Sequence, residues 1–214
     1  MNSTPEETSL MEYMKYVGKA FLLLVMLVAN QACNNKEQVI PESELLNLQA
    51  LMMEKIRAAV LTADPDSDFA TIMQLSNEIS ITIANKELQS GRSARMQAVA
   101  REVISGLKAE NEEIEKLLKT HQGTLAIPEF REKILLNIER AEKSVQLQTG
   151  KGNIDKDFAT IMILQNQGAI ENVHLQTVYG THLPLKTYGR AVTEKRDLQN
   201  RYLQSWLLGI ENPD

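Results

Sequence analysis

A chain of 214 residues, 43% apolar and 24% charged, is long enough for one large folded domain or two small ones. Its net charge of −5, with no clustered basic patch, argues against a nucleic-acid partner, and its single cysteine, Cys33, excludes an internal disulfide or a cysteine-built metal centre. Aromatic residues make up only 5%, while Leu, Ile, Ala, Glu, Gln and Lys dominate, a balance that favours helix over sheet.

The N-terminus reads as an address. Lys15 and Lys19 precede an apolar run from Ala20 to Ala29, and Asn30-Gln31-Ala32-Cys33 follow. A short basic region, an apolar core and a small residue before a break make residues 1–32 an expected signal peptide. Ten helical residues reach roughly 15 Å, about half a bilayer core, which is too short for a spanning anchor. Ala32-Cys33 resembles a bacterial lipobox, with Asn30 where Leu is usual and Gln31 larger than usual. Cys33 is therefore the expected lipidation site, and residues 33–40, with their polar Asn34 to Gln38, a soluble tether. An ordinary signal peptide or a buried free thiol are the alternatives. Residues 1–13 carry Glu6, Glu7 and Glu12 and suit no signal region, whereas a start at Met14 would give a basic one.

The body then follows in helices. Pro41 to Ala63 carries Leu45, Leu48, Met52, Ile56, Ala59 and Val60 at helical spacing, and Asp64-Pro65 breaks the run. Asp66 or Asp68 is expected to cap a second helix, with Phe69, Ile72, Met73, Ile79 and Ile83 on one side, to about Gln89. Ser93 to about Thr120 is predicted as a third. Its inner stripe is Met96, Val99, Val103, Leu107, Ile114 and Leu118, with Glu110 and Asn111 assigned to the stripe's edge. Pro128 opens a fourth with Phe130, Ile134, Ile138, Ala141 and Val145 inward. Residues 149–153 form a loop, Asp155 to about Val178 a fifth helix, and Pro184 stands near the start of a sixth lined by Tyr188, Val192, Leu198, Tyr202, Trp206 and Leu207.

The second and fifth helices are copies. From Asp66 the chain reads D-S-D-F-A-T-I-M-Q-L-S-N, and from Asp155, 89 positions later, D-K-D-F-A-T-I-M-I-L-Q-N, with nine of twelve residues shared. The expected fold is all-α: two tandem three-helix repeats, residues 41–121 and 128–210, joined by a linker at 122–127 and packed together because each is small for a core of its own, with two independent bundles on that linker as the alternative.

The second copy resembles the bacterial domain-of-unknown-function family 305. That family's core is close to D-x-D-F-x-x-x-M-I-x-H-H-x-G-A-I, followed by a helix ending in Trp-Leu. Asp155, Asp157, Phe158, Met162, Ile163, Gly168, Ala169, Ile170 and Trp206-Leu207 match it, and Gln167 is a common family residue there. The first copy matches through Asp66, Asp68, Phe69, Met73, Ile81 and Leu117-Leu118. The resemblance implies a ferritin-like helical bundle, export, and for some members a link to copper. The histidine pair, however, is replaced by Gln165-Asn166 in the second copy and by Ser76-Asn77 in the first. Amide and hydroxyl oxygens are poor ligands for transition metals, so no metal residues carry over.

The remaining candidates are weaker. Glu171 and His174 share a helix face at the E-x-x-H spacing of di-metal bundles, but Thr82 and Asn85 hold the matching positions of the first copy, which favours a surface pair. Met73 and Met162 suit Cu(I) as thioethers and suit a helical core equally. His121 and His182 fall at turns and are expected in solvent, and Gln165 to Gln167 on a polar face; the alternative is that these amides are buried and fix the packing between the two units through hydrogen bonds. Asp66, Asp68, Asp155 and Asp157 are expected to cap helix starts; a Ca²⁺ loop would need a glycine and a distal Glu that are missing. With no P-loop, Rossmann, G-x-S-x-G or H-E-x-x-H motif, a non-enzymatic role without a cofactor is expected. The expectation is an envelope lipoprotein, periplasmic or on the outer membrane. It would bind or scaffold an envelope partner and reach the membrane through Cys33. Copper storage or resistance through Met73, Met162, Glu171 and His174 is the alternative.

Overall fold

The structure, a computed structural model, describes residues 44–123, 126–147 and 153–210. The expected signal peptide, the expected lipidation site Cys33 and the expected tether lie outside them. Six α-helices account for most of the described chain, and no strand occurs among the described residues: α1 (Glu44–Arg57), α2 (Pro65–Ser90), α3 (Ala94–Leu118), α4 (Pro128–Gln146), α5 (Ile154–Tyr179) and α6 (Leu183–Leu207). None is long and apolar enough to cross a membrane.

The duplicated helices α2 and α5 form the centre. They pack on each other, and each packs most heavily on the helix that follows it, α3 and α6 respectively. The pair α1 and α4 pack together and against both central helices. This position explains the composition of α2 and α5, which bury residues around much of their circumference: Phe69, Ala70, Ile72, Met73, Ile79 and Ile83 in one, Phe158, Ala159, Ile161, Met162, Ala169 and Val173 in the other. The outer helices α3, α4 and α6 instead show one apolar stripe and a charged face. Phe69 and Phe158 are fully buried, each stabilising the core by about 1.5–3 kcal/mol relative to exposure.

The predicted first helix stops early. It ends at Arg57 instead of continuing to Ala63, and Val60, assigned to its inner stripe, is 89% exposed. The cause lies downstream. Asp68 turns its carboxylate back and accepts hydrogen bonds from the backbone N–H of Thr62 (2.7 Å) and Ala63 (2.8 Å), and from the Thr62 hydroxyl (2.9 Å). Ala63 is held at φ 65°, a left-handed conformation that cannot continue a right-handed helix. Leu198, assigned to the inner face of α6, is 61% exposed. The buried stripe of that helix runs instead through Leu185, Val192, Arg196, Asn200 and Leu203.

Candidate functional site: aspartate clamps and a polar centre

The paired aspartates do not cap their own helices. The N-cap of α2 is Asp64, whose Oδ1 accepts from Asp66 N (3.1 Å), and the N-cap of α5 is Asn153, which accepts from Lys156 N (3.1 Å). Asp68 and Asp157 are buried as well, Asp68 in the turn just described. Asp66, fully buried, reaches across to the end of α5 and the start of α6. Its Oδ2 accepts from the backbone N–H of Thr181 (2.8 Å) and His182 (3.0 Å) and from the Thr181 hydroxyl (3.3 Å), while Oδ1 accepts from Gln176 Nε2 (2.8 Å). The second copy does the reciprocal thing: Asp155 Oδ1 accepts from the backbone N–H of Arg92 (2.9 Å) and Ser93 (2.8 Å). Thus α2 supplies a carboxylate to the N–H groups at the start of α6, and α5 supplies one to those at the start of α3, where the helix dipole also favours negative charge. Gly91 and Gly180 are required there by close approach. A Cβ on Gly91 would collide with the Glu87 carboxyl, and one on Gly180 with Asp66 and Gln176.

Asn77 and Asn166 do not lie on an exposed polar face. They are buried, at 3% and 2% exposure. Asn77 Nδ2 donates to Asn111 Oδ1 (2.8 Å), tying α2 to α3. Asn166 Nδ2 donates to Gln199 Oε1 (2.8 Å) and Asn200 Oδ1 (2.9 Å), tying α5 to α6. These bonds fasten each central helix to the helix that follows it. Ser76 and Gln165, the other half of each pair, are half-buried and face one shared cavity of ≈ 30 Å³ between α1, α2, α4 and α5. Gln49 Oε1, Gln165 Nε2 and Asn172 Oδ1 border it with no hydrogen-bond partner among the described residues. One donor and two acceptors around such a space match the needs of a single water molecule.

Two other expectations change. Glu110 is not at the edge of the α3 stripe. It is buried and paired with Arg196 (2.5 Å) and Lys195 (2.9 Å) of α6. Close by, α3 and α6 leave a cleft of ≈ 350 Å³ with an apolar floor at Val99, Val103 and Leu107, and Arg95, Lys195 and Gln199 among its polar lining. The Tyr188 hydroxyl is also buried without a hydrogen-bond partner among the described residues, and burial, then the charge of Glu110, pushes its pKa up. His121 and His182 are not solvated turn residues either. The His121 side chain is 6% exposed, its Nε2 lies 2.7 Å from Asp64 Oδ2, and its ring meets His182 edge-on at 5.3 Å. Asp64, Asp66 and His121 bring one ligand atom each within 4.8 Å of one another. The aspartate oxygens are already engaged: Asp64 by Asp66 N, the Ser67 hydroxyl and His121, and Asp66 by the α6 start.

Glu171 and His174 lie exposed on α5, where Glu171 pairs with Arg140 (3.6 Å). Met73 and Met162 are core residues, 0% and 1% exposed. No family model matches the chain, and comparisons with curated proteins and with solved structures return no match.

Truncating the two buried asparagines tests the polar centre. Asn166→Ala strips the donor from two acceptors, Gln199 and Asn200, and is expected to cost about 1–3 kcal/mol in urea unfolding. Asn77→Ala strips one acceptor, Asn111, and is expected to cost less. Equal and negligible losses would mean that these amides do not hold the helices together.

Proposed function

We propose that this chain is an exported, lipid-anchored helical module of the bacterial cell envelope, related to the family it resembles, that binds or scaffolds a partner without catalysis. In this reading the two repeats form a ferritin-like bundle whose metal positions have been taken over by amides. The observation that carries it is the use of Asn77 and Asn166, at the places of the second histidines, as interhelical hydrogen-bond donors. Side chains committed to neighbouring helices are not free to bind a transition metal, and their neutral oxygens are weak ligands. The repeat arrangement is supported by residues 89 positions apart with matching partners: Asp66 with Asp155 and Asn77 with Asn166. The α3–α6 cleft, with cations above an apolar floor, suits a binding role.

A metal-handling role is the second reading, favoured by one observation: the convergence of Asp64, Asp66 and His121. Met73 and Met162 support it less, because both are enclosed by core. Titrating the full chain, purified in detergent, with Cu(I) and with Zn(II) separates the readings. The expected result is less than one equivalent bound tightly. Stoichiometric binding that weakens in His121→Ala, or for Cu(I) in Met73→Leu and Met162→Leu, would overturn the first reading in favour of the second. The anchor has its own test. The chain is expected to partition into the detergent phase, and Cys33→Ser to return it to the aqueous phase; partitioning unchanged by that substitution would remove lipidation as its cause.

A further inference from the structure

The two clamps differ in one atom that matters. Glu87 and Gln176 stand 89 positions apart, in the last turn of α2 and of α5, and both are fully buried. Their backbones play the same part, each carbonyl accepting from the glycine that ends the helix: Gly91 N to Glu87 O at 2.7 Å, Gly180 N to Gln176 O at 2.8 Å. Gln176 then uses its amide N–H to bond Asp66 Oδ1. Glu87 has no such N–H. No group among the described residues donates to either of its carboxyl oxygens. That carboxyl lies against Gly91, beside the Arg92 and Ser93 N–H groups that hold Asp155, so the acid it faces is Asp155.

Two buried carboxyl groups in contact do not both ionise. The bond that Gln176 makes with an amide can be made by Glu87 only with a proton. Asp155 is the group fit to receive it, because its Oδ1 is fixed as an acceptor by the N–H groups of Arg92 and Ser93. We propose that Glu87 is a proton-operated latch: as a neutral acid it donates to Asp155 and holds the end of α2 to the start of α5, and loss of that proton releases this end of the interface while the Gln176–Asp66 end stays shut.

The surroundings offer no substitute for the proton. On its own helix, the neighbouring Lys86 is paired with Glu44 of α1 at 2.6 Å. The start of α3 presents Arg92 through its backbone N–H, with its side chain exposed, and the uncharged Gln97 bonds Gly91 O at 2.9 Å. From α5 come Asp155, the exposed Lys156 and the buried Asp157. Among the described residues, no cation pairs with Glu87 or Asp155. Burial, and after it the hydrogen bond and charge of Asp155, accordingly push the Glu87 carboxyl from 4.5 up to about 8. The native state thus holds this proton more tightly than the unfolded chain. The stability it confers is complete below about 4.5, declines as pH rises, and is gone above about 8.

Thermal unfolding of the full chain, followed by circular dichroism from pH 5 to pH 9, tests the latch in the native protein, Glu87→Gln and Gln176→Glu. Glu87→Gln copies the Gln176 clamp and should match the native Tm at pH 5. The native protein should fall below it as pH rises, by on the order of 5 °C at pH 9. Gln176→Glu installs a second proton-dependent clamp against Asp66 and should steepen the fall beyond that of the native protein. Native and Glu87→Gln curves that run parallel would overturn the proposal. Should Glu87→Gln fail to fold at any pH, the amide does not replace the acid and the proposal also falls. A Gln176→Glu curve parallel to the native one would count against it independently.

Discussion

A carboxylate removed from water is costly unless donors surround it, and Asp66 lies at 0% exposure. Its donors are a glutamine side chain on α5 and the backbone N–H groups at the start of α6. Those N–H groups have an equal need, because the first turn of any helix leaves them without intrahelical partners. The clamp therefore satisfies two deficits at once, and it does so between helices far apart in the chain. Asp155 repeats the arrangement in the opposite sense at the start of α3. The rest of the architecture follows from this exchange: α2 and α5 must lie together at the centre, the aspartate end of α2 close to the entry of α6 and that of α5 close to the entry of α3. Breaking one clamp leaves a buried charge and bare N–H groups together, which is why an Asp-x-Asp-Phe start has reason to persist in both copies.

The same geometry separates frame from function. The first aspartate of each pair, Asp66 or Asp155, holds the start of α6 or α3, and Asp68 holds the turn before its own helix. The asparagines lie two to three turns further along and belong to the contact between central and last helices. Apart from both lies the surface between α3 and α6, where a buried Glu110 holds two cations at the edge of a cleft. The charged residues of these last helices differ, at positions 89 apart, more than those of the central ones do. Glu110 and Gln199, for example, stand 89 positions apart, yet one is an anion and the other an amide.

Much of this was legible in the sequence because helical period and duplication are local signals. The limits of α2, α3, α5 and α6 fall within a few residues of those predicted, and Phe69, Met73, Phe158 and Met162 are core as the spacing implies. The differences at the buried polar residues share a cause. Each involves a side chain whose partner is distant in sequence: Asp66 with His182, 116 positions on; Glu110 with Arg196, 86 on; His121 with Asp64, 57 back. Periodicity reports which face is apolar, and it cannot say which polar residue on that face will meet a partner. For the aspartates a signal was present and went unread. An acid shared by both copies, each followed near its helix end by a glycine 25 positions later, Gly91 and Gly180, pairs with the other copy's helix start. The early end of α1 had no such signal, since it depends on Asp68 turning back onto Thr62 and Ala63.

Hydrogen exchange at four backbone amides tests the exchange of clamps most directly. Helix-start N–H groups ordinarily exchange fast, yet those of Arg92, Ser93, Thr181 and His182 are engaged by carboxylates. The account predicts slow exchange at all four. It further predicts that Asp66→Ala speeds exchange at Thr181 and His182 while sparing Arg92 and Ser93, and that Asp155→Ala does the reverse. Loss of protection confined to the mutated helix's own first turn, or none at all, would contradict it.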